Sequence, residues 1–101
     1  MNKLKTFYTI AKYRNFTKAG ELLGLTQPAV SLQMKALEEE YFTKLFERIG
    51  RDVFLTEAGK VLFEYAERIL TTLEEANLAI KECEDSYKGK VSFGVSMFAG
   101  A

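Results

Sequence analysis

The stretch from Thr17 to Leu37, TKAGELLGLTQPAVSLQMKAL, decides the fold. It reads as two short helices joined by a tight turn. Thr17 is the predicted N-cap of the first helix, Lys18–Leu23. Gly24 ends that helix, because glycine enters the left-handed region without steric cost. Thr26 caps the second helix, and Pro28 falls in its first turn, where a missing N–H is tolerated. Val30, Met34 and Leu37 follow i, i+4, i+7 spacing and are predicted to face a core. Gln27, Pro28, Ser31, Leu32 and Lys35 lie on the other side. Amide, hydroxyl and ammonium groups on a helix held up by a partner have the form of a helix-turn-helix whose second helix reads the DNA major groove. Capped helix pairs are also common packing units, so the flanking sequence has to decide.

Upstream, residues 3–14 carry Leu4, Phe7, Ile10 and Ala11 at helical spacing and predict a first helix. Phe16, just before the Thr17 cap, is expected to enter the core as a hydrophobic staple. Ala19, Leu22, Leu23, Leu25, Val30 and Leu37 complete a three-helix core. Downstream, the second helix of the pair runs on through Glu38-Glu39-Glu40, expected to be a solvated acidic face. Two apolar runs then flank Ile49-Gly50-Arg51 and predict a small hairpin, or wing. Arg48 and Arg51 bracket its turn and suit the negative potential of a minor groove.

Thr56 is the predicted cap of a long helix that meets no proline and, after Gly59, no glycine until about Tyr87. Gly59 in its first turns is expected to cost about 1 kcal/mol relative to alanine. Leu62, Ile69, Ala76 and Cys83 recur every seven residues, interleaved with Ala66, Leu73, Ile80 and Tyr87. Val61 and Tyr65 widen the stripe near its start. Such a helix, roughly 46 Å long at 1.5 Å per residue, cannot cover its apolar seam on so small a head. A second copy is the simplest partner, with Leu62, Ala66, Ile69, Leu73, Ala76 and Ile80 as its dimerisation residues. Cys83 on this seam is expected to be a packed hydrophobe. Val91, Phe93 and Val95 alternate with small residues and predict a strand that opens a further domain. The expected domains are therefore residues 1–56, 57–88 and 89–101.

Composition excludes more than it assigns. With 101 residues, the chain can bury one modest core. No apolar run is long enough to span a bilayer, which argues against membrane insertion. One cysteine suits a reducing compartment, so a cytoplasmic location is expected. With no histidine, no His-based triad, Cys–His nucleophile or ordinary zinc site can form, and Gly59-Lys60 and Gly89-Lys90 lack P-loop spacing. Neither an enzyme nor a cofactor is expected. Net charge is zero, but residues 1–37 hold six basic and one acidic side chain, whereas residues 57–101 hold five basic and eight acidic. A basic head beside an acidic tail is expected where only one region meets phosphate.

These pieces together resemble the N-terminal part of LysR-type transcriptional regulators. The resemblance rests on Leu4-x-x-Phe7, Phe16-Thr17-x-Ala19, Gln27-Pro28-Ala29-Val30-Ser31, Leu37-Glu38-Glu39, Leu45-Phe46-Glu47-Arg48, Gly50-Arg51 and Leu55-Thr56-Glu57-Ala58-Gly59, with Gly89-x-Val91-x-Phe93-Gly94 trailing. It implies a mainly α fold: a winged helix-turn-helix of three helices and a two-stranded wing, followed by a linker helix that pairs antiparallel in a homodimer. It implies promoter DNA as partner, bound at an interrupted inverted repeat in a prokaryotic nucleoid. Higher oligomers and a small-molecule inducer would belong to a longer form with an effector-binding domain. By motif position Gln27, Pro28, Ser31 and Leu32 approach base edges, Thr26, Lys18 and Lys35 approach phosphates and Arg51 enters the minor groove, with Thr17 and Arg48 also expected among the DNA-binding residues. The competing expectation is a short homologue that heterodimerises with a full-length regulator and blocks it. Three departures stand out. Gly20 replaces a usual alanine and allows closer packing. Leu32 replaces a frequent arginine, leaving an apolar contact to a thymine methyl in place of a guanine contact. Tyr41-Phe42-Thr43 lacks the usual glycine at the helix end.

Overall fold

The computed structural model describes residues 2–89, with side chains over 2–84. Its elements are α1 (Asn2–Tyr13), α2 (Phe16–Leu23), α3 (Gln27–Tyr41), β1 (Phe46–Ile49), β2 (Asp52–Leu55) and α4 (Glu57–Gly89). The chain divides after Arg68 into two units, and the whole described core lies in the first. The expected strand around Val91–Val95 lies outside the described residues.

The apolar stripe of α1 behaves as its spacing predicts, with Phe7 and Ile10 fully buried. They pack with Phe16, Ala19, Val30, Met34, Leu37, Leu45, Val53 and Ala66. Phe46 joins the layers: its ring lies 5.2 Å from that of Phe7 and 5.6 Å, edge-on, from that of Phe16. The first strand of the wing is thereby anchored to both α1 and α2.

The start of α2 corrects the predicted cap. Asn15, not Thr17, is extended at the N-cap, and its carboxamide oxygen accepts the Lys18 N–H at 2.9 Å. Phe16 is the first helical residue and not a staple preceding the cap. Asparagine caps at least as well as threonine, and starting at Phe16 aims that ring at Phe46. Leu22 is also corrected: it is 55% exposed, because it falls off the arc shared by Phe16, Ala19 and Gly20. The close packing expected at Gly20 is present, since a Cβ there would sit 2.8 Å from the Leu25 carbonyl oxygen. Gly24 ends α2 at φ 69° as predicted.

On α3, the Thr26 hydroxyl accepts the Ala29 N–H at 3.3 Å, and Val30, Met34 and Leu37 face inward. Where a glycine was missing, Phe42 adopts the left-handed conformation itself, at φ 55°. The Phe42 N–H bonds the Glu39 carbonyl at 3.3 Å and the Thr43 N–H bonds the Glu38 carbonyl at 3.1 Å, a Schellman ending. A non-glycine residue there costs about 1 kcal/mol.

The acidic run Glu38–Glu40 is not simply a solvated face. The Glu38 side chain is only 16% exposed. Its Oε2 accepts the Leu45 N–H at 2.8 Å and the Phe46 N–H at 3.3 Å, which ties α3 to the start of the wing. Lys44 approaches its other oxygen at 3.8 Å, and Glu40 pairs with Lys3. The wing pairs Phe46 with Leu55 and Arg48 with Val53 on one face, and Glu47 with Phe54 and Ile49 with Asp52 on the other. Gly50 opens its two-residue turn at φ 64°, a conformation open to glycine.

Thr56 caps α4 as predicted: its hydroxyl accepts the Gly59 N–H at 3.0 Å and donates to the Lys44 carbonyl at 2.7 Å. Gly59 has a packing reason that sequence concealed, since a Cβ there would lie 2.2 Å from the Leu45 carbonyl oxygen. One expected seam residue, Ala66, is reassigned. Ala66 is fully buried and so closed to a partner, while Leu62 is partly buried against the head core. Tyr8 stacks on Phe63 at 5.0 Å and reaches Glu67 through its hydroxyl at 3.3 Å, fixing these first turns to α1. In the second unit, Ile69, Leu73, Leu78 and Ile80 are exposed, as is Ala76, while Cys83 is half-buried.

Candidate nucleic-acid interface

The outer face of α3 is built by the same spacing that fills the core. With Val30, Met34 and Leu37 inward, Gln27, Pro28, Ser31, Leu32 and Lys35 are left exposed. Leu32 is the most apolar group on that face and is 67% exposed. Lys35 has no ion-pair partner among the described residues.

A concave cleft lies beside this face. It is lined by Arg14, Asn15, Phe16 and Thr17 from the start of α2, Gln27 from the start of α3, and Arg48, Gly50, Arg51 and Val53 from the wing. Thus Thr17, Gln27, Arg48 and Arg51, far apart in sequence, are brought together. No carboxylate lines the cleft, three arginines do, and none of the three is ion-paired among the described residues. Two helix N-termini open onto the same space, adding unpaired N–H groups and the positive ends of two helix dipoles. That combination has the chemistry to hold an anion, and phosphate suits it.

The wing arginines have different settings. Arg51 sits in the turn beside Gly50. Arg48 is on β1, on the face that pairs with Val53, and its guanidinium lies 4.0 Å from the centre of the Phe16 ring. This stack holds Arg48 between the first cleft and a second one lined by Ser31, Lys35, Glu38 and Lys44. Lys18 is exposed on the first turn of α2, its ammonium 5.8 Å from the Tyr13 ring. Thr26 is committed through its hydroxyl to the α3 cap. Sequence reasoning gave Arg14 and Asn15 no place in the site. The signal for Asn15 was its cap propensity one residue before Phe16.

Among the described residues, no group of side chains has the makings of a metal site, and no helix is long and apolar enough to cross a membrane.

Comparison with known proteins agrees with this geometry. The profile of bacterial regulatory helix-turn-helix proteins of the lysR family matches residues 1–60. An uncharacterized HTH-type transcriptional regulator from the ibpB-leuC intergenic region of Azotobacter vinelandii is 41% identical over 96% of this chain and 67% of its own length. A probable RuBisCO transcriptional regulator of Thalassiosira pseudonana is 39% identical over 100% of this chain and 33% of its own length. The chain thus spans only about a third of that relative. Among solved structures, the BenM DNA-binding domain in complex with catB site 1 DNA superposes with a TM-score of 0.77 at 32% identity, covering 80% of this chain and 90% of that one. The CbnR DNA-binding domain in its DNA complex gives a TM-score of 0.73 at 33% identity, covering 80% and 93%.

Proposed function

Because the chain belongs to the lysR family of bacterial regulatory helix-turn-helix proteins, we propose that it is the DNA-binding and dimerisation module of a transcriptional regulator. It is a binding module and not a catalyst, and it acts on the nucleoid in the cytoplasm. Two copies pair through the exposed part of the seam, Ile69, Leu73, Ala76 and Ile80, and present two heads to an interrupted inverted repeat. In each head, the outer face of α3 enters the major groove, with Gln27, Pro28, Ser31 and Leu32 toward base edges. Thr17, Lys18, Lys35 and Arg48 hold the backbone, the N-terminus of α3 with its Thr26 cap faces phosphate, and Arg51 enters the minor groove. Residues 1–56 then form the winged helix-turn-helix, and 57–88 form a linker helix whose first turns pack on that head.

The observation that carries this reading is the acid-free cleft, where three arginines and two helix N-termini converge beside the exposed face of α3. Fluorescence anisotropy with promoter DNA across a salt series tests it. Affinity should fall steeply and linearly on a log–log plot against salt, and the Gln27→Ala, Arg51→Ala double variant should lose binding. Binding that ignores salt, or that survives the double substitution unchanged, would overturn it.

A further inference from the structure

Leu32 occupies an unusual place. It lies on the outer face of α3 between Ser31 and Lys35, 67% exposed and touching no part of the core. Of its neighbours on that face, Gln27, Ser31 and Lys35 can donate or accept hydrogen bonds, or carry charge, while Pro28 is a second, smaller apolar group. Leucine can do neither. In a major groove the base edges display donors and acceptors throughout, with a single apolar feature, the methyl group on C5 of a pyrimidine. A leucine pressed against any other edge strips water from polar atoms and returns no hydrogen bond, which disfavours that base. Against a C5 methyl, both partners lose apolar surface to water at no polar cost.

We propose that Leu32 is a reader of the pyrimidine C5 methyl group. It selects one methylated pyrimidine in each half-site independently of the hydrogen-bonding edge of the base. Thymine is the common source of that methyl, and 5-methylcytosine presents the same group at the same place. The inference rests on α3 entering the major groove, as proposed above. It adds that one position in the half-site is recognised through a methyl group and not through hydrogen bonds.

The experiment uses the whole chain. Duplexes bound by it are selected from a random pool, and each thymine of the half-site is replaced in turn by deoxyuridine, which lacks only the methyl. Anisotropy titrations are run on the native chain and on Leu32→Ala, an exposed substitution that leaves the core intact. One thymine should show an affinity loss of about fourfold on demethylation, the value expected for one buried methyl. That loss should vanish in Leu32→Ala, while losses at other thymines persist. At the same position, 5-methylcytosine should bind better than cytosine in the native chain and equally in the variant. If demethylation has the same effect with and without Leu32 at every position, the inference fails while DNA binding stands. If the pool yields no bound duplex, the function itself fails, and the methyl reader with it.

Discussion

The two ends of the long helix make an instructive contrast. Over residues 57–67, α4 is part of the head: Gly59 lies against the Leu45 carbonyl, Phe63 stacks on Tyr8, and Ala66 is fully buried. From Ile69 onward, the same seven-residue pattern leaves Ile69 and Leu73 each 42% exposed and Ile80 60% exposed. A heptad pattern states that a stripe is to be covered, and says nothing of what covers it. The division falls where the three-helix head runs out of surface.

The contrast is sharpest in stability. Ala66→Glu puts a charge into the fully buried site and should cost the head on the order of 4 kcal/mol, read as a lower urea midpoint. Gly59→Ala forces the α4 backbone away from the Leu45 carbonyl; net of the helix propensity gained, a loss of about 2 kcal/mol is expected in the same assay. Asn15→Ala should cost about 1 kcal/mol as a lost cap, whereas Thr17→Ala should change thermal stability by less than about 0.5 kcal/mol. Equal effects at these two positions would return the cap to Thr17. Leu73→Glu belongs at the same low end. It should leave the urea transition of the head within about 0.5 kcal/mol of native and yet convert dimers to monomers in sedimentation. A dimer that tolerates Leu73→Glu would break the division of the helix into two roles.

What sequence alone disclosed follows from how local each cause is. The Thr26 and Thr56 caps, the Gly24 ending and the Gly50 turn are set by a few adjacent residues, and all are where the pattern puts them. The core face of α3 was equally legible, because Val30, Met34 and Leu37 satisfy one simple period. The misreadings involve contacts across the chain. Glu38 looked like surface because its partners, the N–H groups of Leu45 and Phe46, are backbone atoms, which no side-chain pattern reveals. Gly59 looked like a defect because its reason is a carbonyl fourteen residues earlier. Thr17 reads as the cap in sequence, and Asn15 does not, because the demand that fixes the start of α2, a berth for Phe16 beside Phe46, is tertiary. In the candidate site, the exposed face of α3 was readable residue by residue. The cleft was not, since it exists only once the wing folds back beside the starts of α2 and α3.

The Glu38 carboxylate has one more consequence. From the last turn of α3 it holds the Leu45 and Phe46 amides, and so ties the reading helix to the wing. The spacing between the reading helix and the wing is thereby braced by a single side chain, and on the proposed reading that spacing is what the grooves of a duplex would have to match.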